Sequence, residues 1–133
     1  MTSLTPGQAA ELAGVSVDTV RRWTDRGELA TSRLENGHRA IAGADLARFL
    51  AQRAAPAAGG ATPPGLSARN RFRGIVTRVV RDGVAATVEI QSGPHRIVSL
   101  ITAEAVDELG LEPGVLADAA VKSTDVLVDR ARP

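Results

Sequence analysis

Cysteine is absent, and histidine occurs only twice in 133 residues. The first absence excludes a disulfide framework and thiolate metal sites. His38 and His95 have no second ligand at useful spacing, so no metal cation is expected and a bound cofactor would be an anion. No stretch nears the ~18 apolar residues that a membrane-spanning helix needs. Met1-Thr2-Ser3-Leu4 also lacks the basic segment and apolar run of a secretory signal, so the reading is a cytoplasmic protein with no membrane partner. Charge of one sign is missing too, with 16 Lys+Arg against 15 Asp+Glu. Neither half is strongly basic, so contact with nucleic acid would have to come from local placement of arginines. Nucleophile–base pairs, Gly-rich phosphate loops and metal triads are lacking, and Asp107, Glu108 and Glu112 read as an exposed helix flank. No enzymatic activity is expected.

What is present divides in two. From Ala54 to Gly65 the chain has no charge and no large apolar residue, and it carries several helix breakers. This reads as a tether that couples the halves by reach rather than by a rigid joint. The expected organisation is residues 1–54, a linker over 55–65, and residues 66–133.

In the first half Thr5 can N-cap a helix, Pro6 takes its first position and Gln8 completes a capping box. Ala9, Leu12 and Ala13 share one face of that helix. Gly14 and Val15 turn the chain, and Ser16 caps a second helix that carries Val17, Val20 and Trp23 to an end at Gly27. Segments 29–34 and 38–41 flank Glu35-Asn36-Gly37, a strong hairpin signal. A third helix over 43–54 places Leu46, Phe49 and Leu50 on one stripe. Trp23, at helical spacing from Val20, reads as a core plug. Taken together, LTPGQAAELAGVSVDTVRRWTDRGEL, the NGHR turn and the ADLARFL helix resemble the winged helix-turn-helix of the MerR and excisionase group. The resemblance implies a double-stranded DNA partner. Ser16, Val17, Asp18, Thr19, Arg21 and Arg22 would then face the major groove, and wing residues Arg33, Asn36, His38 and Arg39 would hold phosphates.

In the second half, strands are predicted over 72–81, 85–91 and 95–100, followed by a helix from the N-cap Thr102 to Gly110 and a strand reaching Val121. Two polar runs bracket them, Ser67-Ala68-Arg69-Asn70 and Val121-Lys122-Ser123-Thr124. They offer hydroxyls, N–H groups and cations without a thiol or metal, which suits a tetrahedral dianion. The segments SARNRFRGIV, ITAEAVDELGLEPG and VKSTDVLV resemble, in order and spacing, the Mop or molbindin-type TOBE domains. The resemblance implies a molybdate or tungstate ligand, an OB-like β-barrel with one helix, and a homo-oligomer that is an intertwined dimer, a ring of dimers or a hexamer. It also implies a site between protomers, with Ser67, Ala68, Arg69 and Asn70 from one and Thr102, Ala103, Lys122 and Ser123 from the other. This chain has Thr102 where serine is common, and Ala105 where some relatives carry another hydroxyl.

The expectation is an α+β protein with an N-terminal winged helix-turn-helix, mainly α with a β-hairpin wing, linked to a C-terminal OB-like TOBE β-barrel with one helix. Its expected function is a molybdate- or tungstate-responsive DNA-binding transcriptional regulator. A cytoplasmic molybdate buffer, with the helix-turn-helix turned to assembly or protein interaction, is the alternative. A third reading is an excisionase-like architectural DNA protein whose β domain only oligomerises.

Overall fold

The computed structural model describes residues 2–53 and 67–132 and divides the chain into two units, Met1–Ala55 and Pro56–Pro133. The expected tether over 55–65, with Ala54 and Leu66 beside it, lies outside the described residues.

In the first unit, helix α1 (Pro6–Ala13) starts at Thr5, whose hydroxyl accepts from the Gln8 N–H while the Gln8 side chain accepts from the Thr5 N–H. Both donors would otherwise be orphaned at the helix start. Gly14, with φ 71°, ends the helix. Helix α2 (Val17–Asp25) is capped by Ser16 and runs to Arg26, with Gly27 turning the chain at φ 73°. Three short strands, β1 (Ser3–Leu4), β2 (Ser32–Arg33) and β3 (Arg39–Ala42), form a sheet of order β1-β3-β2, and α3 (Gly43–Arg53) follows. β1 is too short to show a period-2 pattern in sequence. Leu29, expected in a strand, is instead a buried plug whose N–H donates to the Trp23 carbonyl. Around Glu35-Asn36-Gly37 only Gly37 takes a positive φ. Its N–H donates to the Leu34 carbonyl, as in a three-residue loop built on a type I turn.

Ala9, Ala10, Val20, Leu29, Ile41, Leu46 and Phe49 make the core of this unit. Trp23 packs against it, half-buried, with its ring 4.8 Å from that of Phe49. The Arg53 guanidinium lies over both rings and bonds Glu28 at 2.8 Å.

The second unit is a four-stranded antiparallel sheet of order β6-β5-β4-β7, with β4 (Asn70–Asp82), β5 (Ala85–Ser92), β6 (His95–Thr102) and β7 (Leu116–Val121). Helix α4 (Ala103–Leu109) connects β6 toward β7, capped by Thr102 and ended by Gly110 at φ 62°. Val106 of α4 packs on Val76, Ala86, Val88 and Ile90 on the inner face.

The 13-residue β4 serves two partners. Its first half pairs with β7, from Asn70 opposite Val121 to Ile75 opposite Leu116. Its second half pairs with β5, with an extra residue between Val76 and Arg78 that reverses which side chains face inward. The expected barrel is not closed among the described residues: β6 and β7 remain separate edges, and an apolar cleft of about 430 Å³ lies between them.

Where β4 changes partner, Gly74 is required. A Cβ there would run into the Gln91 carbonyl oxygen and stand 2.7 Å from Ile90 Cγ2. Gly74→Ala is expected to destabilise this unit by about 1–3 kcal/mol, the usual effect of forcing atoms into a packed site. Hydrogen exchange reads it directly: amides of β4 and β5 should lose protection while those of β3 keep theirs.

Candidate functional site

Two constellations carry chemistry, one in each unit. In the first unit α2 presents Asp18, Arg21 and Arg22 outward while Val20 and Thr24 point into the core. The Ser16 and Thr19 hydroxyls lie 2.9 Å apart, and Arg22 donates to Thr19 Oγ1 at 3.1 Å. This chain of bonds orients an exposed guanidinium at the start of α2. Arg21 stands 3.6 Å from Asp18, a solvent-exposed pair of little energetic weight. Val17 is partly buried against the core, so much of its side chain has a packing role.

The wing residues separate into two kinds. Arg33, Asn36 and His38 are exposed, and Asn36 Oδ1 accepts from the His38 N–H, ordering the tip. Arg39 is half-buried and donates through Nη1 to Thr24 Oγ1 at 2.9 Å and Asp25 Oδ1 at 2.8 Å, fastening β3 to the end of α2. Val17, Arg21, His38 and Arg39 line one depression of about 490 Å³ with Thr5 and Gly7 at the start of α1. Asp25, unmarked in the sequence, is the partner that fixes the wing. Nothing in the local pattern signals it, because the two residues are 14 apart.

In the second unit the pairing of Asn70 with Val121 sets the two polar runs side by side at one end of the β4–β7 ribbon. Asn70 Nδ2 donates to the Val121 carbonyl at 3.1 Å, so this amide ties the runs together. Ala68 is buried and anchors the run before β4, while Ser67 and Arg69 on either side of it are exposed. Lys122 caps a single 3-10 turn, Ser123–Asp125, and both Lys122 and Ser123 are exposed. Among the described residues the side chains of Ser67, Arg69, Lys122 and Ser123 make no hydrogen bond or ion pair. Four unengaged polar groups around a strand pair can gather an anion.

Thr102 and Ala103 are elsewhere. Thr102 pairs with Ala85, itself next to the Asp82 end of β4, so the length of β4 separates it from Asn70. Its hydroxyl accepts from the Ala105 N–H, and the Ala103 N–H is engaged by the Val84 carbonyl at 2.9 Å. Within one chain Lys122 and Ser123 stand with Ser67–Asn70, at the other end of β4 from Thr102. The reason is the β4–β7 register, which sequence spacing does not reveal. No group of three His, Cys, Asp or Glu that could hold a metal occurs among the described residues.

Comparison with known proteins places these units. Residues 3–54 match the helix-turn-helix domain family, and residues 66–128 match the TOBE domain family. Molybdenum-pterin-binding protein 2 of Clostridium pasteurianum is 39% identical over 64 residues, 47% of this chain and 94% of the relative. MopII of Clostridium pasteurianum is 37% identical, with a TM-score of 0.47 over 50% of this chain and 100% of that one. The cytoplasmic molybdate-binding protein ModG, solved with molybdate bound, is 40% identical, with a TM-score of 0.44 over 46% of this chain and 44% of that one. The architecture is that of a helix-turn-helix unit followed by a TOBE unit. Through the latter, the chain belongs to the TOBE family of Mop-type proteins.

Arg39→Ala should loosen the wing and lower the stability of the first unit by about 1–3 kcal/mol, since it removes charge-assisted bonds from a half-buried site. Arg22→Ala, at an exposed position, should stay within about 0.5 kcal/mol of the parent. Thermal melts of the two variants check the contrast; equal stability would mean that the Arg39 bonds do not hold the wing.

Proposed function

We propose that the chain is a cytoplasmic transcriptional regulator that binds double-stranded DNA through residues 1–54 and molybdate or tungstate through residues 66–133, joined by a tether over 55–65. The observation that supports it most is the meeting of unengaged Ser67, Arg69, Lys122 and Ser123 at one end of β4–β7. Hydroxyls and two cations suit a tetrahedral dianion, whose charge-assisted hydrogen bonds are the strong kind. Asn70 and the backbone of Ala68 hold the geometry.

On one copy these groups are open to water, and a site that prefers a dianion needs walls. A second copy supplies them in this proposal. The isolated unit exposes Leu127 (94%) and Val128 (90%) and leaves an apolar cleft between β6 and β7. Exchange of such segments between two copies would cover both and bring Thr102 of the partner to Lys122. The Ala103 amide, already engaged, drops out of the donor set. The oligomer is then a dimer or a ring of dimers.

For the ion to act as a signal it must bind one arrangement better than another, and a swing from 1:99 to 99:1 takes about 5.5 kcal/mol of differential binding. A dimer would set two recognition helices roughly 34 Å apart, matching half-sites one helical turn from each other. Ser16, Asp18, Thr19, Arg21 and Arg22 are the base-edge set, and Arg33, Asn36 and His38 the phosphate set. Arg39 acts mainly by holding the wing.

One observation favours the buffer reading: the chain covers 94% of a relative named for molybdenum-pterin binding, so the ligand unit is nearly the whole of that protein. Salt-dependent binding of the full chain to a specific operator in a gel shift, lost in Arg22→Ala, would reject that alternative. Calorimetric titration tests the ligand. Molybdate and tungstate should bind tightly and sulfate weakly. Arg69→Ala combined with Lys122→Ala should weaken molybdate by at least about 100-fold, because each charge-assisted hydrogen bond contributes ~1.5–3 kcal/mol. Equal heats for sulfate and molybdate, or an unaffected double variant, would overturn the site.

A further inference from the structure

The second unit is neutral overall, but its charges are segregated. On the outer face of β4, Arg71 and Arg73 stand opposite Ala120 and Asp118 of β7. Asp118 accepts from Arg71 Nη2 and from Arg73 Nε, each at 3.3 Å. Past the irregularity at Val76/Arg78 the pattern repeats: Arg78 lies opposite Glu89 of β5, and Arg96 of β6 forms an ion pair with the same carboxylate. The hydrogen bond from Arg96, with the charges of Arg96 and Arg78, holds the Glu89 carboxyl below its usual range against an opposing effect of burial. Asp118 is thus shared by two arginines, while Glu89 pairs with Arg96 and lies opposite Arg78, so each group sets two cations against one carboxylate.

The carboxylates are recessed, while Arg73 and Arg96 are not. Side chains of Arg73 and Arg96 are 62% exposed, while Asp118 is 23% and Glu89 16% exposed. Arg71 is largely covered, and its Nε is buried without a partner among the described residues. Four of the other seven acids, Glu104, Asp107, Glu108 and Glu112, lie on α4 and just after it, and α4 packs by Val106 against the inner face. Among the described residues Arg81 meets them, through Asp107.

We infer that this outer face of the sheet, with Arg73, Arg78 and Arg96 as its exposed cations, is a second contact for the phosphate backbone of duplex DNA. Arg73 and Arg96, held by recessed acids, and Arg78 beside them suit phosphates, which need no base-specific partner. Covalent linkage to a helix-turn-helix unit keeps the face at an effective concentration on the order of mM near bound DNA. The inference uses the DNA-binding reading of the first unit only for this proximity.

The test is fluorescence anisotropy of the full chain on a duplex of random sequence, between about 50 and 200 mM salt. Arg73→Ala with Arg96→Ala should lower the slope of log K against log salt by about two, since each phosphate contact contributes roughly 0.9. Arg73→Lys with Arg96→Lys, which keeps the charge, should hold the parent slope. Arg22→Ala with Arg33→Ala should leave a salt-dependent residue of binding that the sheet-face alanine pair removes. If the alanine pair leaves the slope unchanged while Arg22→Ala with Arg33→Ala abolishes binding, this inference falls and the helix-turn-helix reading stands. If only the sheet-face pair matters, the reverse holds. An unchanged slope with an altered solution mass for the sheet-face pair would make the face a contact between copies and overturn the inference. A parent chain that binds no duplex would end both.

Discussion

The antiparallel pairing of the first half of β4 with β7 is the constraint from which the second unit takes its form. It sets Asn70 against Val121 and so joins two polar runs 51 residues apart. It also commits β4 to two partners, which Gly74 and the irregularity after Val76 make possible by letting the strand coil. With β5 on one half of β4 and β7 on the other, β6 and β7 are left as edges. The apolar cleft between them follows, and it is the surface that the proposed second copy would cover.

The first unit relies on helix ends rather than a large core. Its two leading helices are short, so caps matter: the reciprocal Thr5–Gln8 bonds and the Ser16 cap satisfy donors that the helices cannot. Trp23 and Phe49, covered by Arg53, close the small interior. The outer side of α2 is thereby free for polar side chains, and Arg22 is already oriented by Thr19. The same logic separates Arg39, which faces Thr24 and Asp25, from Arg33 and His38, which face water.

Local chemistry was the readable part of this chain. Thr5, Ser16 and Thr102 each precede an apolar helical stripe and each proves to be an N-cap; Gly14 and Gly110 end helices with positive φ. The mixed α+β class and both family resemblances were legible from such signals, combined with ordered motifs. Pairing was not. Register depends on which strand lies beside which, so the proximity of Lys122 to Asn70, the separation of Thr102 from both, and the ion pairs at Asp118 and Glu89 carry no local signature. The open edge between β6 and β7 was equally hidden, because strand count in a sequence does not say whether a sheet closes. Leu29 misled for a related reason: an apolar residue beside a β-rich segment fits a strand or a core plug equally well.

The claim on which the account rests is that the β4–β7 ribbon end gathers a tetrahedral oxyanion. The most direct measurement is an amide-resolved NMR titration of the full chain with molybdate. The account expects the largest shifts at Ser67, Ala68, Arg69, Asn70, Lys122 and Ser123, saturating together. Shifts confined to the first unit, or spread over the sheet with those six amides unmoved, would contradict it.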